Sequence, residues 1–365
     1  MASDAENWLC ASPRNEEGNP FMQLLEGKQF SSVCVPYGLL KEAVNVLPND
    51  LIVFLTFDDE AHTLLIDYQQ GQFSMPTEPA DDFPKSPDVV TELTPERPQT
   101  EPRCTLSLPG DWLVQRMKAA KVCIANDLLR PIMNTAVIDV IGGEKVAIVS
   151  TDGHSLFKDE RFFGLGSGFL TPAQQTKDGT PVIDYTILFS TTAVDAIVNN
   201  FQHEENITIT VDSQRCRVTS DTCELIARCP EGRYPNYNSV IPRDANKHVV
   251  VCQETMLRVL RRLSIFANEA SNMCVLTIHG DLLQAESLDL DFERFATEQV
   301  PILEGSDAPD GFRIAFKIAT LSKLLNCIHT ENAVFNFTAP ERATLIKEED
   351  ANGSLTLLIM PMKTD

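Results

Sequence analysis

Ile187-Leu188-Phe189, then Ala193-Val194 and Ile197-Val198, then Phe201, then Ile207-Thr208-Ile209-Thr210-Val211: this is the stretch on which the fold turns. A short apolar run, apolar pairs at helical spacing and an alternating run read as strand, amphipathic helix and strand. The same pattern occurs twice more. Around 33–56 it is Val33-Cys34-Val35-Pro36, Leu39-Leu40, Ala43-Val44, Leu47 and the run Leu51 to Leu55. Around 313–338 it is Arg313-Ile314-Ala315-Phe316, Leu321, Leu324-Leu325, Ile328 and Val334-Phe335-Asn336-Phe337. A long period, with strands enclosing each helix, argues for repeated domains rather than a solenoid.

Two of the three copies share a front half. Leu113, Met117, Ala120 and Ile124 form one stripe of a helix, and Met256, Leu260, Leu263 and Ala267 repeat that spacing. A strand follows each, Ala136 to Val140 in one and Cys274 to Ile278 in the other. Each domain is therefore expected to be two helix-plus-sheet halves. The opening Met1-Ala2-Ser3-Asp4 resembles Val149-Ser150-Thr151-Asp152, which closes a front half. By the logic of the repeat, the first domain begins near the end of its own first half. Either the start is truncated or misassigned, or half a domain has been lost.

Prolines at 76, 79, 84, 87, 95, 98 and 102 bar the segment Met75 to Pro102 from forming a helix or central strand, so it reads as a connector. A second connector spans Pro235 to Lys247. These breaks give an incomplete domain 1–103, whose connector is 76–103, and domains 104–245 and 246–365. All fall within the usual domain range.

A net charge of -22 repels a nucleic-acid backbone over most of the surface, so any contact with DNA needs a local basic patch. The ten cysteines are scattered singly, without C-x-x-C pairs, and read as reduced thiols in a cytoplasmic chain. No apolar run is long enough to span a bilayer.

Three motifs are distinctive: Leu129-Arg130-Pro131-Ile132-Met133-Asn134 with Ser150-Thr151-Asp152-Gly153-His154-Ser155-Leu156; Glu231-Gly232-Arg233-Tyr234-Pro235-Asn236-Tyr237 with Val240-Ile241-Pro242; and the end Leu357-Leu358-Ile359-Met360-Pro361-Met362-Lys363. In this order and at these distances they resemble the bacterial DNA polymerase III beta subunit family, the sliding clamps. The resemblance implies an α+β DNA clamp fold of repeated domains, each of two helix-plus-antiparallel-sheet halves. Two subunits would close head-to-tail into a homodimeric ring around duplex DNA. It implies a non-catalytic processivity factor that needs no cofactor or metal and serves DNA polymerase III, its clamp loader and other proteins carrying clamp-binding motifs. The alternative is a monomeric clamp-like module that binds partner peptides without encircling DNA.

The resemblance also assigns residues. A partner-peptide groove falls to Met133, Thr151, Gly153, His154, Leu156, Pro235, Val240, Leu358, Met360, Pro361 and Met362. Methionines suit it because they repack at low cost around different peptides. Asp152-Gly153 also reads as a tight turn. DNA would face Arg116, Lys118 and Lys121 on one helix and Arg258, Arg261 and Arg262 on another. Such contacts neutralise phosphates without reading bases. A solvated helix face is the alternative. The dimer interface would join Phe73 and Met75 to Ile265 and Phe266, unless these serve an intramolecular core. Ser155 and Ser239 stand where the family often has arginine, which bears on partner preference.

Other constellations are weaker. Gly164-Leu165-Gly166-Ser167-Gly168 lacks the final glycine and the Lys-Ser/Thr pair of phosphate loops. Ser150, Asp152 and His154 are too close on one strand end to form a triad. Asp58, Asp59 and Glu60 read as a turn rather than a metal site.

Overall fold

The computed structural model describes every residue except 4–5, 13–31, 49–50, 59, 87–103, 165, 173–182, 213, 304–305, 350–352 and 364–365. The chain forms two compact units, Ser12–Pro87 and Met1–Ala11 together with Asp88–Asp365.

The chain opens with β1 (Ala2–Ser3) and β2 (Asn7–Ala11). The smaller unit holds β3 (Val33–Cys34), α1 (Tyr37–Asn45), β4 (Val53–Asp58), β5 (Thr63–Tyr68) and β6 (Gly71–Pro76), with β7 (Glu78–Pro79) returning to pair with β3. This module of strand, helix and three strands recurs four times. The first recurrence is β8 (Cys104–Pro109), α2 (Gly110–Ala120), β9 (Thr135–Ile141), β10 (Lys145–Thr151) and β11 (Ser155–Phe162), with β12 (Leu170–Pro172) added. Next come β13 (Tyr185–Ser190), α3 (Thr191–Asn200), β14 (Asn206–Val211), β15 (Arg215–Thr219) and β16 (Cys223–Arg228). The third is β17 (Lys247–Cys252), α4 (Gln253–Leu263), β18 (Met273–His279), β19 (Leu282–Asp289) and β20 (Arg294–Pro301). The last is β21 (Arg313–Lys317), α5 (Ile318–Leu325), β22 (Asn332–Phe337), β23 (Thr344–Glu348) and β24 (Leu355–Ile359).

Modules interlock in pairs. The opening strand of each joins its sibling's sheet: β8 pairs with β14 and β13 with β9, while β17 pairs with β22 and β21 with β18. Helices pack pairwise, α2 on α3 and α4 on α5, over one face of these sheets. The expected stripes are what they bury: Leu113, Met117 and Ala120 on α2, and Met256, Leu260 and Leu263 on α4, are all 0% exposed. Ala267 lies past the end of α4 yet is still buried. Among the described residues, no helix is long and apolar enough to cross a membrane.

Two seams join neighbouring repeats by the same device. β11 pairs with β24, setting Leu156 opposite Leu358 and Phe157 opposite Leu357. β2 pairs with β16, setting Trp8 opposite Ile226 and Leu9 opposite Leu225. The hairpin turn then accepts one further backbone bond, from Met360 N–H to the His154 carbonyl at 2.8 Å and from Arg228 N–H to the Glu6 carbonyl at 2.9 Å. Ser3 lies opposite Trp8 as Thr151 lies opposite Leu156. The likeness of Ala2-Ser3 to Ser150-Thr151 is therefore a structural equivalence, and Met1–Ala11 belongs to the larger unit.

Candidate partner groove and helix face

The groove forms where the β11–β24 seam meets the segment joining β16 to β17. Its floor is the sheet face opposite the helices, where Leu156 and Leu358 pack with Val149, Tyr234 and Tyr237. One side is the β10–β11 turn. Asp152 shapes it, its Oδ1 accepting the N–H groups of His154 at 2.8 Å and Ser155 at 2.6 Å and the Ser155 hydroxyl at 3.0 Å. Thr151 Oγ1 donates to the Ser155 carbonyl at 2.7 Å and accepts Gly153 N–H at 3.1 Å. Gly153 sits at φ +87°, a conformation that favours glycine, and a Cβ there would meet Arg130 Nη1 at 3.2 Å, so that side chain would have to give way.

Beside this turn opens a cleft of about 540 Å³ lined by Leu129, Arg130, Pro131, Ile132, Met133, Pro230, Glu231 and Pro235. That volume is within the range of small-ligand sites. Arg130 is held by Asp127, Nε to Oδ2 at 2.8 Å, and the pairing draws the Asp127 carboxyl below its usual range. Of the residues expected here, Met133, Thr151, Leu156 and Leu358 are buried in the walls and floor. Gly153, His154, Pro235, Val240 and Met360 are exposed, and Pro361 and Met362 are half-buried. Met362 is fixed by its N–H to the Ala315 carbonyl at 2.8 Å. Of the expected residues, Met133 and Pro235 line the cleft itself, while Leu129, Arg130, Pro131, Ile132, Pro230 and Glu231 line it without having been expected there. Their signal was adjacency: each lies inside or beside one of the three motifs.

The basic helix faces divide more sharply. Arg258, Arg261 and Arg262 are exposed opposite the buried stripe of α4, as expected. Arg258 pairs with Glu254, one turn back, and Arg262 forms a fork with Glu298 of β20, Nε to Oε1 at 2.7 Å. That fork raises the Arg262 pKa and lowers that of Glu298. Lys118 is exposed on α2, and Lys121 pairs with Asp195 of α3. Arg116 departs from the expectation. It turns inward to Asp159, whose side chain is 1% exposed and whose pKa burial raises against the pull of the guanidinium. A helical wheel could not show this, because Asp159 comes from β11.

Of the expected dimer contacts, Ile265 and Phe266 are 67% and 41% exposed at the end of α4. Met75 is corrected to core. At 2% exposed, it packs with Leu64 and Ile66 inside its own unit, with half-buried Phe73 beside it. Asp58 forms a turn, its Oδ1 accepting the Glu60 and Ala61 N–H groups at 3.0 and 2.9 Å.

Paired modules, helices on one sheet face and a cleft on the other across a shared seam define the clamp fold. Residues 238–363 match the family model described as DNA polymerase III beta subunit, C-terminal domain. The chain is 22% identical to the beta sliding clamp of Synechococcus elongatus over 92% of this chain and 82% of that one. To the beta sliding clamp of Pseudomonas aeruginosa it is 23% identical, over 93% and 84%. The solved DNA polymerase III subunit beta of Pseudomonas aeruginosa matches with a TM-score of 0.76 at 20% identity, over 99% of this chain and 88% of that one. That of Bartonella birtlesii bound to griselimycin matches at 0.77 and 18%, over 100% and 87%. The chain is a relative of the beta sliding clamps, the DNA polymerase III beta subunit family.

Proposed function

We propose that the chain is a DNA sliding clamp, a non-catalytic ring that encircles duplex DNA and tethers the replicative polymerase, the clamp loader and other partners through the groove. The observation that carries this reading is the third seam. Ser287, buried on β19, donates to the carbonyl of the last α4 residue, Leu263, as Ser150 on β10 donates to that of the last α2 residue, Ala120. This equates Phe295 with Leu156 and Trp8. Phe295 lies on the free edge of the sheet and is 55% exposed, against 1% and 7% for its counterparts.

The strand equivalent to β16 and β24 that has yet to find its neighbour is β6, also at a sheet edge. Phe73 faces Ile66 across its hairpin as Leu225 faces Val218 and Leu357 faces Ile346. In the repeated register, Phe73 would lie opposite Ala296 of the partner subunit. A head-to-tail dimer uses each free edge once and closes a ring. Within it, domains 1–103, 104–245 and 246–365 are the repeating bodies, and Lys118, Lys121, Arg258, Arg261 and Arg262 face DNA. Retention on nicked circular DNA that is lost on linearising the circle tests encirclement. Equal retention on both forms removes it.

One observation favours the monomeric module instead. Helix α1 has no buried residue, and its Tyr37, Leu39 and Val44 are exposed, whereas α2 to α5 bury four or five residues each. The same assay separates the two, since a monomer is not retained on either form of DNA.

A further inference from the structure

We infer that Tyr234 is a positioning residue for the groove, holding the β10–β11 rim at a set height over the opposite wall. This rests on the reading of the cleft as a partner site. The bonds made by Asp152 and Thr151 Oγ1 fix the shape of the turn but lie within it, so they do not fix where it stands. The opposite wall, Pro230, Glu231 and Pro235, belongs to the segment between β16 and β17. Tyr234 comes from that segment, and its hydroxyl oxygen accepts the N–H of Thr151 at 2.9 Å.

The register shows why this bond matters. β10 pairs with β9 only as far as Val149 opposite Val137, so the ladder stops before Thr151. Thr151 is 8% exposed, and a buried N–H without an acceptor is costly. The Tyr234 hydroxyl supplies that acceptor. Its ring, 8% exposed, is wedged among Leu156, Leu358 and Val149, which leaves it little freedom to move. Burial also raises the phenol pKa, keeping the group a neutral hydroxyl. Rim and wall are thereby joined across the floor, the support a preorganised site needs.

Ser287 provides a control outside the groove. Its buried hydroxyl on β19 donates to the Leu263 carbonyl at 3.0 Å. The test compares Tyr234→Phe and Ser287→Ala in the full chain by calorimetric titration with griselimycin, hydrogen exchange over Thr151–His154, and thermal unfolding. Tyr234→Phe is expected to weaken griselimycin binding about three- to tenfold, the worth of one hydrogen bond, and to speed exchange in the rim. Ser287→Ala is expected to lower thermal stability comparably while leaving both other readouts unchanged. Wild-type affinity in Tyr234→Phe overturns the assignment, as does an equal loss of affinity in both variants. If the wild type itself takes up no griselimycin, the groove reading falls and this role falls with it.

Discussion

The β11–β24 seam and the free edge of β20 are built from the same parts, yet one is sealed and the other open. At the seam, a buried serine, a hairpin and a following strand of a neighbouring module place Leu156 against Leu358, 1% and 3% exposed. At the edge, the serine and hairpin recur, but among the described residues no strand follows. Phe295, Leu288, Leu290 and Phe292 stand 50–79% exposed. A monomeric chain rarely leaves such a cluster uncovered beside unpaired strand groups. Under the proposed ring, the exposed apolar residues of the β19–β20 hairpin serve an assembly and not the folding of one chain.

The largest effect should come from breaking the sealed side. Leu358→Ala opens a cavity under the seam and is expected to cost ~2–5 kcal/mol in denaturant unfolding. Phe295→Ala, at the equivalent layer of the open side, should change the stability of the isolated chain by no more than about 0.5 kcal/mol. Similar costs at the two sites would erase the distinction. Next is the groove that the sealed seam creates. Met360→Ala with Met362→Ala should together cost ~2 kcal/mol of partner affinity through lost apolar burial, read by griselimycin titration. Unchanged binding would detach the C-terminal segment from the site.

Sharpening the open side calls for a charge. Phe295→Glu should raise the dimer dissociation constant at least about tenfold, ~1.4 kcal/mol, with unfolding of the isolated chain little altered. A dimer indifferent to this change would place the interface elsewhere. The smallest single effects belong to α4. Reversing Arg258, Arg261 and Arg262 should weaken retention on DNA and lower the salt slope by about 0.9 for each phosphate that is no longer neutralised. Most of this should trace to Arg261, because Arg258 and Arg262 already hold Glu254 and Glu298. An unaltered slope would mean this face looks away from DNA.

Much of this comparison was legible in the chain. The repeat showed in apolar spacing because each module buries the same layers, and two of the motifs supply the cleft lining, Leu129 to Met133 from one and Glu231 and Pro235 from another. Arg116 and Met75 depart from their expected places for one shared reason: their partners, Asp159 on β11 and Leu64 on β5, come from elements whose placement depends on the tertiary fold. Tyr234 sits within a distinctive motif, yet the motif alone gives it no role. Its hydroxyl matters only because the β9–β10 ladder ends two residues before Thr151, and register is invisible to composition or periodicity. The Cys223-to-Arg228 strand likewise shows no sign, in sequence, of its pairing with Asn7–Ala11.

The most direct test is the mass of the 365-residue chain in solution, by sedimentation over a concentration series. A dimer that persists on dilution and is lost in Phe295→Glu is the predicted result, with β20 of each chain sealed by β6 of the other. A monomer at every concentration would contradict it, and the chain would then be a peptide-binding module that does not encircle DNA.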